Sequence, residues 1–107
     1  MKIEISLNLE KLKLVSQLLY DYLKDLHFNL NDRNSKRNIA ILNQVQDKLA
    51  KKMISKKATE DDFKVKLEYY EADCLELFFC ANMERLSNVF EYNTIQSLAH
   101  NMNQQLA

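Results

Sequence analysis

The stretch Phe63-Lys64-Val65-Lys66-Leu67-Glu68-Tyr69 decides the fold of this chain. Apolar and polar residues alternate without fault, the period of a strand with one buried face, and Phe, Val and Tyr are good strand formers. A helical reading competes. Thr59-Glu60-Asp61-Asp62 has the form of a helix start, with a capping threonine and acids in the first turn. Phe63, Leu67, Tyr70, Cys74, Leu77 and Ala81 also fall on one helical stripe. That reading gives one helix from about 60 to 90 and an all-α four-helix bundle. It exposes Val65 and Tyr69, whereas the strand buries both, so the extended reading is preferred.

The same alternation opens the chain, in Ile3-Glu4-Ile5-Ser6-Leu7-Asn8-Leu9. A helical stripe follows directly: Leu12, Val15, Leu19, Tyr22 and Leu26. Asn8 suits the N-cap, and Leu7 and Leu12 stand at the two positions of a hydrophobic staple. After the second alternating run come Leu75, Phe78, Phe79, Met83 and Leu86 with the same helical spacing. Shifting the chain by 60 positions lays one unit on the other, Ile5 on Val65 and Leu19 on Phe79. Any two strand-then-helix segments align in this way, so the shift supports local structure rather than descent. Between the units lies the polar turn cluster Asn29 to Ser35, where Ser35 can cap a second helix with the stripe Ile39, Leu42, Val45, Leu49 and Met53. Asn93-Thr94 is the expected cap of a last short helix, frayed over Asn101 to Gln105.

Composition narrows the chemistry. The 107 residues include no glycine and no proline, where average usage would give roughly a dozen. Every motif that needs close backbone approach to a ligand is therefore excluded: phosphate-binding loops, dinucleotide fingerprints, nucleophile elbows and calcium loops. With 47% apolar and 28% charged residues the chain reads as one globular domain, 1–107. No apolar run approaches the ~18–20 residues of a membrane span. Without a secretory or transit pattern at the start, a cytoplasmic location is expected. Net charge is zero but unevenly spread. Residues 1–57 hold twelve Lys/Arg against six Asp/Glu, and residues 58–107 hold three against nine.

Catalytic constellations are scarce. His27 and His100 lack a ligand partner at helical spacing, so no metal site is expected and no cofactor. Cys74 and Cys80, six positions apart on one helix, would stand about 9 Å from each other, too far for a disulfide. Asp73 and Glu76 beside Cys74 would raise its pKa, the wrong direction for a nucleophile. Glu60, Asp61, Asp62, Glu68, Glu71, Asp73 and Glu76 read as a solvated acidic face.

Two surfaces remain as binding candidates. Tyr22, Tyr70, Phe78 and Phe79 are aromatic beyond the evident needs of one small core, because adjacent Phe78 and Phe79 demand a wide buried arc. A small sheet on one side and a helix on the other can supply that arc, and so can a second subunit. The other candidate is the lysine group Lys48, Lys51, Lys52, Lys56 and Lys57, of which the first three share one helical sector and suit phosphates.

The resulting expectation is a mainly helical α+β fold in β-α-α-β-α-α order. Two paired strands, at about 2–8 and 63–69, are covered by helices at about 9–28, 36–56, 71–90 and 94–105. The expected function is a small non-enzymatic protein-interaction or regulatory protein, with a protein partner or self-association into a dimer. The alternative is a nucleic-acid-associated accessory protein using the second helix. Neither a membrane nor a small-molecule substrate is expected as a partner.

Overall fold

Residues 63–68 are extended. The computed structural model describes residues 2–25, 33–55, 62–86 and 88–107. It places strand β1 at Lys2–Leu7, helices α1 at Leu9–Asp25 and α2 at Arg33–Ser55, then strand β2 at Phe63–Glu68. Helix α3 (Tyr69–Asn82), a short 3-10 turn (Met83–Arg85) and helix α4 (Val89–Leu106) complete the described chain. The fold is mainly helical α+β in the order expected, and the bundle with one long helix through 63–69 is excluded.

The strands pair antiparallel, with Ile5 opposite Val65 and Ile3 opposite Leu67. Ile3, Ile5, Leu7, Val65 and Leu67 turn to one dry face, as alternation dictates. A two-stranded sheet is not stable alone in water. Here helices cover its apolar face: α1 packs on α2, α2 on α3, and α3 on α4, with α4 returning to α1 and to β1. One core results, built by Leu12, Val15 and Leu19 of α1, Leu42, Val45 and Leu49 of α2, Leu75 and Phe79 of α3, and Ile95 and Met102 of α4.

The first strand-to-helix junction follows the sequence closely. Asn8 Oδ1 accepts from the Lys11 amide at 2.8 Å, and Leu7 and Leu12 are both fully buried. Leu26, the last residue of the expected stripe, lies outside the described residues, as do Asn29 to Asp32 of the turn cluster. Helix α2 begins at Arg33, so Ser35 sits inside its first turn rather than at the cap.

Three boundaries around α3 and α4 also differ from expectation. Tyr69 continues the alternation but opens α3 instead of ending β2, and it is 46% exposed. Its hydroxyl donates to the Leu106 carbonyl at 2.9 Å, which satisfies the end of α4. Second, α3 stops at Asn82, whose side-chain amide donates to the Phe78 carbonyl at 2.9 Å. The chain then turns through Met83–Arg85 and an extended Leu86. Third, α4 starts at Val89, because Asn88 Oδ1 accepts from the amides of Phe90 and Glu91. Thr94, expected as a cap, is buried one turn inside that helix. Among the described residues no backbone φ is positive, so these turns are made without the conformation that favours glycine.

The end of α4 is pinned rather than frayed. Met102 is fully buried, and Gln105 reaches across to β1. Its Oε1 accepts from the Glu4 amide at 3.1 Å, and its Nε2 donates to the Glu4 carbonyl at 2.7 Å. One side chain thus satisfies the outward backbone groups of an edge-strand residue, a way of closing an edge. Gln105→Ala should lower stability by about 1–2 kcal/mol, the scale of two lost hydrogen bonds. Amide exchange at Glu4 should accelerate with it; unchanged exchange would show that the clasp contributes nothing.

Candidate functional site

Hydrogen-bond parity in the sheet fixes which backbone groups face outward. In an antiparallel pair, residues alternate between those bonded across the ladder and those directed away from it. Both backbone groups of Glu4 go to Gln105, so Glu4 and its partner Lys66 form a pair directed away. Ser6 and Lys64, two positions on, share that orientation. The N–H and C=O of Lys64 and Lys66 therefore point to the free edge of β2, and among the described residues nothing bonds them. The two edges differ: β1 is closed at Glu4, while among the described residues β2 is bare at Lys64 and Lys66.

Helix α2 runs beside that bare edge and packs less closely on β2 than α4 packs on β1. The gap is an open groove of about 650 Å³ lined by Lys48, Lys51 and Lys52 from α2 and Lys64, Val65 and Lys66 from β2. Its cations are not equivalent. Lys48 Nζ lies 2.5 Å from Glu71 Oε1, and Lys64 Nζ lies 3.4 Å from Glu4 Oε2 diagonally across the sheet. Lys51 and Lys66 are exposed and have no carboxylate within ion-pair reach among the described residues. Lys56 and Lys57, assigned to the same basic group from sequence, lie outside the described residues.

Among the described residues of its group, Glu71 is the one carboxylate that the fold removes from water, contrary to the solvated acidic face expected. Its side chain is fully buried. Oε1 accepts from Lys48 and from the Glu68 amide at 2.8 Å, which ties α2 to the β2–α3 junction. Oε2 is buried without a hydrogen-bond partner. Asp62 and Asp73 are exposed, Glu76 accepts from Asn103 at 3.1 Å, and Glu60 and Asp61 lie outside the described residues. Sequence offered no sign that Glu71 differs, except its place three positions after the residue preceding α3.

The aromatic candidates separate. Phe78 and Phe79 are in the core, and a buried ring cannot meet a partner, which corrects their assignment to a surface. The arc they demand is supplied within the chain, since α3 touches both strands, α2 and α4. Tyr22 packs edge-on against Phe78 at 4.8 Å and is half-buried. Tyr70 alone stays at the surface, its hydroxyl accepting from Gln44 Nε2 at 3.1 Å.

Cys74 and Cys80 are free thiols. Partial burial, then the charge of Asp73, holds Cys74 above the ordinary thiol range; burial, then Glu76, does the same for Cys80. Both shifts reduce the thiolate fraction at neutral pH. His100 is exposed on α4, and His27 lies outside the described residues. Among the described residues no group of three His, Cys, Asp or Glu side chains is placed to hold a metal. No described helix is long and apolar enough to cross a membrane. No family model, curated protein or solved structure matches this chain.

Proposed function

We propose that this chain is a non-enzymatic protein-interaction protein whose working surface is the lysine-lined groove between α2 and β2, where it receives an anionic partner. The observation that carries this reading is convergence: lysines from two elements distant in sequence surround one concavity. Like charges gathered in a cleft focus a field that draws in the opposite charge and speeds its encounter. The raised thiol pKa values favour a binding role over nucleophilic chemistry.

A second reading, a nucleic-acid-associated accessory protein, rests on the same lysines, since a phosphate backbone is also a row of anions. Titration of the labelled chain with polyglutamate and with duplex DNA at about 50 mM salt separates the two. Polyglutamate is expected to bind more tightly than DNA, with affinity falling as salt rises. A Lys51→Glu/Lys66→Glu variant should bind it about tenfold more weakly or worse. Preference for DNA moves the assignment to the second reading. Binding of neither polymer overturns both.

A further inference from the structure

We infer that the free edge of β2 takes an extended acidic peptide as a third strand, held by backbone hydrogen bonds to Lys64 and Lys66 and selected by the surrounding lysines. This rests on the groove being the working surface, and it names both the partner's conformation and its chemistry.

The backbone supports the mode. Lys64 and Lys66 present two N–H and two C=O groups along one line, the template on which strand addition builds. On β1 the corresponding line is occupied at Glu4 by Gln105, and α4 lies close against it. On β2 the neighbouring helix stands off and leaves the groove. A strand of six residues spans about 20 Å, so the exposed length suits a short peptide segment.

The side chains define the occupant. Lys64 and Lys66 flank alternate positions of an added strand on the outer face of the sheet, and Lys51 and Lys52 line the groove from α2. Cross-strand neighbours of opposite charge stabilise a pair and like charges oppose it. Asp or Glu at every second position is therefore the matching pattern. A second copy is disfavoured by the same rule, because antiparallel β2–β2 pairing centred between Lys64 and Lys66 sets lysines against lysines. The register that sets Lys64 against Glu68 still opposes Lys66 to Lys66 and meets a Glu68 amide already given to Glu71. Edge lysines of this kind discourage self-pairing while leaving the edge open to an acidic strand.

The test uses the full chain and an end-blocked six-residue peptide alternating valine and glutamate. Saturation should slow hydrogen exchange at the Lys64 and Lys66 amides by about tenfold or more. N-methylation of the peptide's alternate backbone amides preserves its charge and should weaken binding by about tenfold or more, as should Lys66→Glu. Equal affinity for the methylated peptide, or unchanged exchange at Lys64 and Lys66, overturns strand addition; retained polyglutamate binding then leaves the charged groove standing. Displacement of the peptide by duplex DNA with no slowing of those amides overturns it as well. Protection of Lys64 and Lys66 that rises with protein concentration in the free chain identifies a second copy as occupant, which is equally fatal to the acidic-peptide assignment. If neither peptide nor polyglutamate binds, the groove fails as a working surface altogether.

Discussion

Replacing Glu71 with alanine should destabilise the protein by about 3–5 kcal/mol, the range for breaking a buried ion pair from one side. The carboxylate is fully buried, and Lys48 keeps 34% of its side chain exposed. Water can therefore screen the lysine left behind, which places the expected loss toward the lower end. Loss of Glu71 also strips the Glu68 amide of its acceptor at the start of α3. Lys48→Met leaves the more damaging remnant, a buried carboxylate with one amide for company and one oxygen already unpartnered. The double variant Lys48→Met/Glu71→Leu should recover most of the loss, because an apolar pair of similar volume removes both desolvation penalties. Urea unfolding with an unchanged slope measures all three. A single-variant loss below about 1 kcal/mol would reduce the pair to the standing of a surface salt bridge. Domains of this size are stable by only about 5–15 kcal/mol, so the expected result is easily detected.

Phe79→Ala should cost about 3–5 kcal/mol, through lost burial and the cavity left behind. Phe79 is 1% exposed and lies 5.8 Å from the Phe78 ring, which in turn meets Tyr22. Leu77→Ala is the internal control: on the same helix, Leu77 is 59% exposed, and its removal should move stability by no more than about 0.5 kcal/mol. The Phe79 loss should be the same at low and high protein concentration. A loss that grows on dilution would return Phe79 to a subunit interface.

How far residues announce their roles depends on how local those roles are. The alternation of residues 63–68 and the Asn8 junction are local, so both were legible. Tyr69 was not, because an alternating pattern carries no mark of where the ladder ends; the residue is set by Leu106, far along the chain. The start of α4 was misplaced because Asn93-Thr94 has the form of a cap. The residue that caps the helix is Asn88, whose side chain accepts from the Phe90 and Glu91 amides. Glu71 sits among carboxylates that face water, and only the approach of α2 distinguishes it. The groove was half legible. Lys48, Lys51 and Lys52 share a helical sector, but Lys64 and Lys66 read as the ordinary wet side of a strand until pairing shows which edge is left over.

The strand pairing also has a consequence for biosynthesis. β1 is made before β2, and the whole of α1 and α2 must emerge before β2 exists to meet it; the Gln105 clasp comes later still. At translation speeds of about 5–20 residues per second, the opening segment waits seconds for its mate. The α1–α2 hairpin is the part able to form meanwhile, since its contacts lie close along the chain. Ribosome-bound intermediates ending before residue 63 should therefore display a helical hairpin beside a β1 segment whose strand partner does not yet exist.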